Sequence, residues 1–166
     1  MGNSYLEGTG VDKDISKAVN WFNKAIANAC PFAMNTLASL HLEGIGVPQD
    51  FKRAYQLYFD SAQSGKFPKA MYNLGDMHLL GLGIPVDYTK AIMWFERAVE
   101  NGAKYAEFKL FEAKEKKRKE AEALEKMKEL EQSAGLEEGQ NLTPLERIYR
   151  IMDQKNSKSS SKLRFI

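Results

Sequence analysis

Two histidines, one cysteine and two tryptophans are the side chains of this chain whose types invite a chemical role, and their spacing decides what that role can be. His41 and His78 occupy the same place in two copies of one pattern, where an earlier copy has Tyr5. Equivalent places in stacked helical units start at least one interhelical spacing apart, about 8–10 Å. Neither histidine has a Cys or carboxylate at zinc-ligand spacing, so packing at a turn is expected rather than a shared metal. Cys30 is the sole cysteine, which excludes an intramolecular disulfide and a multi-cysteine metal site, and no partner can be named to make it a nucleophile. It reads as a small buried residue. Trp21 and Trp94 recur at one helical position and read as core before cofactor box. The pairs Gly8/Gly10, Gly44/Gly46 and Gly81/Gly83 lack a preceding strand, a third glycine or a Lys-Ser, so they are turn glycines rather than phosphate loops. No Gly-x-Ser-x-Gly is present. The residues therefore predict no enzyme, with no catalytic, cofactor-binding or metal-binding position.

What positions these residues is a repeat. The glycine pairs recur at steps of 36 and 37 residues, and each is followed by Val11, Val47 or Ile84 and, three residues on, by Asp14, Asp50 or Asp87. An Asp there accepts hydrogen bonds from the free amides of a new helix. After each cap the pattern stays in register: Lys17-Ala18, Arg53-Ala54 and Lys90-Ala91, then Trp21, Leu57 and Trp94, then Ala25, Ser61 and Ala98. Spacings of three and four put one small and apolar stripe on a helix. Ala29, Gly65 and Gly102 are expected to end these helices, and a second helix follows with Ala33, Leu37 and Ala38 in one copy and Ala70, Leu74 and Gly75 in the next. Each unit is a helix pair, and a period in the mid-thirties predicts an all-α, α-α superhelical solenoid of helix-turn-helix repeats.

The stretch "LGDMHLLGLGIPVDYTKAIMWFERAVENGAKYA" is similar to the Sel-one-like repeat family, relatives of tetratricopeptide repeats, whose pattern runs Leu-Gly, Gly-x-Gly-Val, Asp, Lys-Ala, Trp-Phe, Ala and a closing Gly. The resemblance covers residues 1–111 in three registered copies. Met1-Gly2 takes the place of Leu74-Gly75, so the first unit lacks the N-terminal half of its first helix and the helix from about Asp14 to Asn28 is expected to have one uncovered flank. The expectation is a C-terminal piece of a longer solenoid or an incomplete gene model, and a structural end-cap is one reading of its role.

Residues 112–134 form a charged helical extension in which Glu112/Lys116, Glu115/Lys119 and Glu122/Lys126 stand at the favourable four-residue spacing. It has no apolar face from Lys114 to Glu120, and only Leu124, Met127 and Leu130 offer a later stripe. A solvated capping helix is favoured over a coiled coil, with residues 121–134 the place where chains could associate. Residues 135–154 read as a linker and a short amphipathic helix: Thr143-Pro144-Leu145-Glu146 is a capping box, and Leu145, Ile148, Tyr149 and Met152 fall on one face. Residues 155–166 are serine-rich and basic and read as disordered.

Sixteen of the eighteen aromatic side chains lie between Tyr5 and Phe111, so the repeats make the core. A net charge of +2 gives little steering toward nucleic acid or anionic membrane. No run approaches the roughly 18 apolar residues of a membrane span. The sequence as given favours the cytoplasm; the endoplasmic reticulum is the alternative if an N-terminal signal is missing.

What the resemblance implies is a non-catalytic adaptor or scaffold that presents stacked helices to protein partners, as in the endoplasmic-reticulum degradation adaptor and bacterial signalling regulators of the family. Asn35, Ser39, Tyr72 and Asp76 are the expected exposed positions on the second helices, and Leu145, Ile148, Tyr149 and Met152 form a second sticky face. A hydrolase activity attributed to bacterial relatives relies on repeated cysteines, which this sequence lacks with Cys30 alone.

Overall fold

A computed structural model describes residues 1–133. The described residues form seven α-helices and no strand: α1 (Gly2–Glu7), α2 (Ile15–Ile26), α3 (Pro31–Glu43), α4 (Phe51–Gly65), α5 (Pro68–Leu80), α6 (Tyr88–Glu100) and α7 (Glu107–Ser133), with a 3-10 turn at Lys104–Ala106 ahead of α7. The all-α repeat architecture is thus present. The chain divides into two compact units, Met1–Lys117 and Arg118–Ile166, each taken by itself below.

In the first unit the chain zigzags through helix pairs: α1 packs on α2, α3 on α4 and α5 on α6, while α2·α3 and α4·α5 join neighbouring pairs. The predicted caps are in place. Asp14, Asp50 and Asp87 each accept a hydrogen bond from the backbone N–H three residues on, at 2.9 Å in all three. Such a cap contributes about 1 kcal/mol to its helix. Each cap is tied in turn to the preceding helix, because the N–H groups of Asp14, Asp50 and Asp87 donate to the carbonyls of Tyr5, His41 and His78. Because the acceptor is a main-chain carbonyl, this bond asks no shared side-chain chemistry of the Tyr/His position.

Small residues set how closely the helices approach. Ala18, Ala54 and Ala91, the second residue of each Lys/Arg-Ala pair, are fully buried, as are Leu74 and Phe95. A side chain at Gly75 would put its Cβ 2.6 Å from the Phe95 ring, and at Gly2 2.7 Å from Phe22. The second glycine of each loop does a separate job. Gly83, at φ +70°, would drive a Cβ to 2.1 Å from Cβ of Phe51 in the unit before it, and Gly46 would meet Ile15 of its preceding unit at the same distance. These glycines are the contact points between neighbouring helix pairs.

Gly65 is the last residue of α4, as expected; the left-handed turn after it falls to Lys66 at φ +46°, and Gly65 stays small because the Pro31 ring would lie 2.3 Å from its Cβ. Two expectations require correction. Trp21 is not core: it is 41% exposed where the equivalent Leu57 and Trp94 are 2% and 4%. The six residues of α1 cover only part of α2, which leaves that flank open as the register suggested. Cys30 is half-buried rather than buried, at the edge of the same opening.

Helix α7 carries the charged sequence through to Ser133. Glu112 pairs with Lys116 at 3.3 Å, as the spacing predicted, while Glu122 pairs with Arg118. In the second unit Leu124 and Leu130 are exposed and Met127 is half-buried.

Candidate protein-binding face

Helices α3 and α5 and the opening turns of α7 place a row of polar and aromatic side chains along one side of the first unit. Asn35 was expected to be exposed and is not: it is 3% exposed, because its Oδ1 accepts a hydrogen bond from Nδ2 of Asn73 at 2.9 Å across the α3/α5 junction. An amide buried between helices needs such a partner, so Asn35 serves as a staple between units. Ser39 is half-buried, with its Oγ 2.8 Å from the hydroxyl of Tyr58 and donating to the carbonyl of Asn35. Burial raises the pKa of Tyr58, against its hydrogen bond with Ser39, so the phenol stays neutral and able to donate.

Tyr72 and Asp76, one turn apart on α5, are half-buried rather than exposed. The Tyr72 ring sits edge-on to Phe95 at 5.6 Å and 5.4 Å from the ring of Tyr105, which is 58% exposed. Asp76 faces Lys109 of α7 at 3.7 Å, and Lys109 lies closer, at 3.1 Å, to Glu112. Burial pushes the Asp76 carboxyl up, outweighing the Lys109 ammonium and the Tyr72 hydroxyl, and its buried Oδ1 makes an ion pair with Lys109 too long for a hydrogen bond. Glu112 is held down by its hydrogen bond from Lys109, whose own pKa that bond raises. The outcome is one half-buried carboxylate beside two tyrosine rings, with a lysine shared between two acids.

Ser39, Tyr72 and Asp76, expected on this side from the sequence, lie there half-buried, together with Tyr58, Asn73, Tyr105, Lys109 and Glu112, which the sequence did not single out for it. The missed signal was register: Leu110 stands 36 residues after Leu74, which makes the start of α7 a further second-type helix and brings Lys109 and Glu112 onto the same side. Leu145, Ile148, Tyr149 and Met152 lie outside the described residues. Phe108 and Phe111 are 74% and 65% exposed on α7.

The histidines pack as expected. His78 is 5% exposed, edge-on to Tyr55 at 5.7 Å, with Nε2 3.4 Å from the Tyr55 hydroxyl, while Nδ1 of His41 is 3.3 Å from the Pro48 carbonyl. Burial, then Lys90, lowers the His78 pKa, against Asp87. With the folded value below the unfolded one of about 6.5, the stability this neutral ring supports is complete above pH 6.5 and is lost as pH falls through the folded value. Urea midpoints are therefore expected to drop between pH 7.5 and pH 5, and His78→Phe is expected to flatten that drop.

Among the described residues no three His, Cys, Asp or Glu side chains gather as a metal site, and no helix is long and apolar enough to cross a membrane. Antiparallel helix pairs stacked in register, with capped first helices and glycine contacts between pairs, define an α-solenoid of the helix-turn-helix class.

The Sel1 repeat pattern matches residues 1–30, 31–66 and 68–102, and the chain belongs to the Sel1 repeat family. It is similar to a Sel1 repeat protein from Oxalobacter formigenes, with 32% identity and a TM-score of 0.64 over 68% of this chain and 45% of that one. It is also similar to c5321, a protective antigen of uropathogenic Escherichia coli strains with an SLR fold, at 30% identity and a TM-score of 0.59 over 63% of this chain and 22% of that one. The chain thus spans less than half the length of either. No curated protein matches.

Proposed function

We propose that this chain is a non-catalytic scaffold that holds a protein partner on the α3/α5/α7 face. The observation that supports it most is the exposed ring of Tyr105 set against Tyr72, beside the half-buried Asp76 that faces Lys109. Tyrosine is enriched at protein interfaces because its ring offers rigid apolar area and its hydroxyl a polar handle.

Quantitative affinity capture with the whole chain tests this reading. A Tyr72→Ser/Tyr105→Ser/Asp76→Asn variant is expected to lose partners that the parent and a Gln56→Ala/Lys69→Ala control both retain, with circular dichroism unchanged. Retention of every partner by the triple variant removes the face from the function.

A further inference from the structure

Helix α7 carries two aromatic side chains where a surface helix ordinarily carries charge: Phe108 is 74% and Phe111 65% exposed. The side of α7 that meets the repeats is marked by Lys109, which faces Asp76 of α5 at 3.7 Å, and by Ala113, which has no exposed surface. At about 100° of turn per residue, Phe108 and Phe111 fall on the opposite side. The same outward stripe takes in Lys104, one turn before the two rings, and Glu115, one turn after them.

Register explains why the stripe is uncovered. Phe108 and Phe111 stand where Tyr72 and Gly75 stand in α5, and there the Phe95 ring of α6 lies edge-on to Tyr72 and so close to Gly75 that a Cβ would meet it at 2.6 Å. In α3 the place of Gly75 is taken by the buried Ala38. Helices α3 and α5 end at Gly44 and Gly81, where the chain turns into the next helix, but α7 contains no glycine and runs on to Ser133. No described helix therefore turns back over the stripe, and the Phe111 side chain takes the volume into which such a helix would place an aromatic ring of its own. A helix that meets this stripe must set its side chains beside Phe108 and Phe111 rather than into a gap between them.

We infer that the occupant is the same stripe of a second copy of this chain, packed antiparallel. A two-fold axis midway between Lys109 and Leu110 sets residue 108 opposite 111 and residue 104 opposite 115, since both pairs are centred on that point. Each Phe108 then lies beside the partner's Phe111, and each Lys104 faces the partner's Glu115, so an aromatic centre is closed at both ends by opposite charges. The parallel alternative in the same register sets lysine against lysine and glutamate against glutamate. Glu107 and Glu112, which the axis also relates, fall on opposite edges of the stripe, and Glu112 is paired with Lys109 and Lys116 of its own helix. The inference does not rest on the α3/α5/α7 face, and its test changes none of Tyr72, Asp76 and Tyr105.

Two rings and one lysine-glutamate pair from each copy put the contact at the low end of interface sizes, so sedimentation equilibrium of the whole chain is run from about 10 µM to about 1 mM. A monomer-dimer equilibrium is expected within that range. Phe108→Ser/Phe111→Ser, Lys104→Glu alone and Glu115→Lys alone are each expected to weaken it at least tenfold, with circular dichroism unchanged because the altered side chains lie on the outward side. An equimolar mixture of the Lys104→Glu and Glu115→Lys chains is expected to regain the parent's association, since each copy then supplies the charge the other lacks. A monomer at every concentration overturns the inference in favour of a bare stripe or one covered by the chain's own later residues. Dimers that survive the serine changes place the contact elsewhere on the chain and overturn it too, and a mixture no tighter than either single variant overturns the antiparallel register.

Discussion

Replacing Gly83 by alanine is expected to lower stability by about 3 kcal/mol or more, and replacing Gly10 by alanine by only about 1–2 kcal/mol, the usual penalty for a Cβ in the left-handed region. The two glycines have nearly the same backbone, φ +70° and φ +75°, so the conformational cost is shared. They differ in surroundings. The new Cβ at 83 would lie 2.1 Å from Cβ of Phe51, an atom fixed by the first turn of α4, while at 10 nothing lies within 4 Å. Overpacking of this kind typically adds 1–3 kcal/mol, and relief requires the second and third helix pairs to move apart. Urea unfolding of both variants followed by circular dichroism measures the difference. Equal losses would mean that the glycine contact does not hold the pairs together.

Phe95→Ala is expected to cost about 3–5 kcal/mol, the range for deleting a fully buried aromatic side chain. Phe95 has no exposed surface, seats against Gly75 and stacks edge-on with Tyr72. The reverse change at the same contact, Gly75→Val, would bring a branched side chain into the ring and is expected to lose about 3 kcal/mol. Because the two residues share one volume, Gly75→Val combined with Phe95→Leu is expected to be more stable than the sum of the single losses predicts, by about 1 kcal/mol or more. A double-mutant cycle from urea midpoints reads that coupling; strict additivity would place the cost of Gly75→Val elsewhere. Loss of Phe95 also removes the support under Tyr72, so the variant links core packing to the proposed binding face.

The helix pairs, their caps and their turns were legible in the sequence because they rest on local rules. An Asp three residues before a Lys/Arg N–H, two glycines before it and an apolar stripe at three- and four-residue spacing constrain the backbone within one turn, whatever lies nearby. Asp14, Asp50 and Asp87 therefore cap as read, and the register that aligned Met1-Gly2 with Leu74-Gly75 also located the open flank of α2. Exposure on the second-type helices was not legible. Periodicity gives a helix two small-residue sides without saying which neighbour meets each, and so Asn35 was placed outside although Asn73, 38 residues on, buries and bonds it. The same limit hid Lys109 and Glu112, whose role depends on α7 lying beside α5.

The repeating sequence by itself determined the family, the unit length and the backbone of each helix pair, since those follow from contacts between residues close along the chain. Only the tertiary structure decided which identical positions differ: why Trp94 is core and Trp21 is not, why Gly65 must be small without turning the chain, and why Asp76 shares Lys109 with Glu112. Those outcomes depend on what stands across from each residue, and in a stacked array that neighbour belongs to another unit.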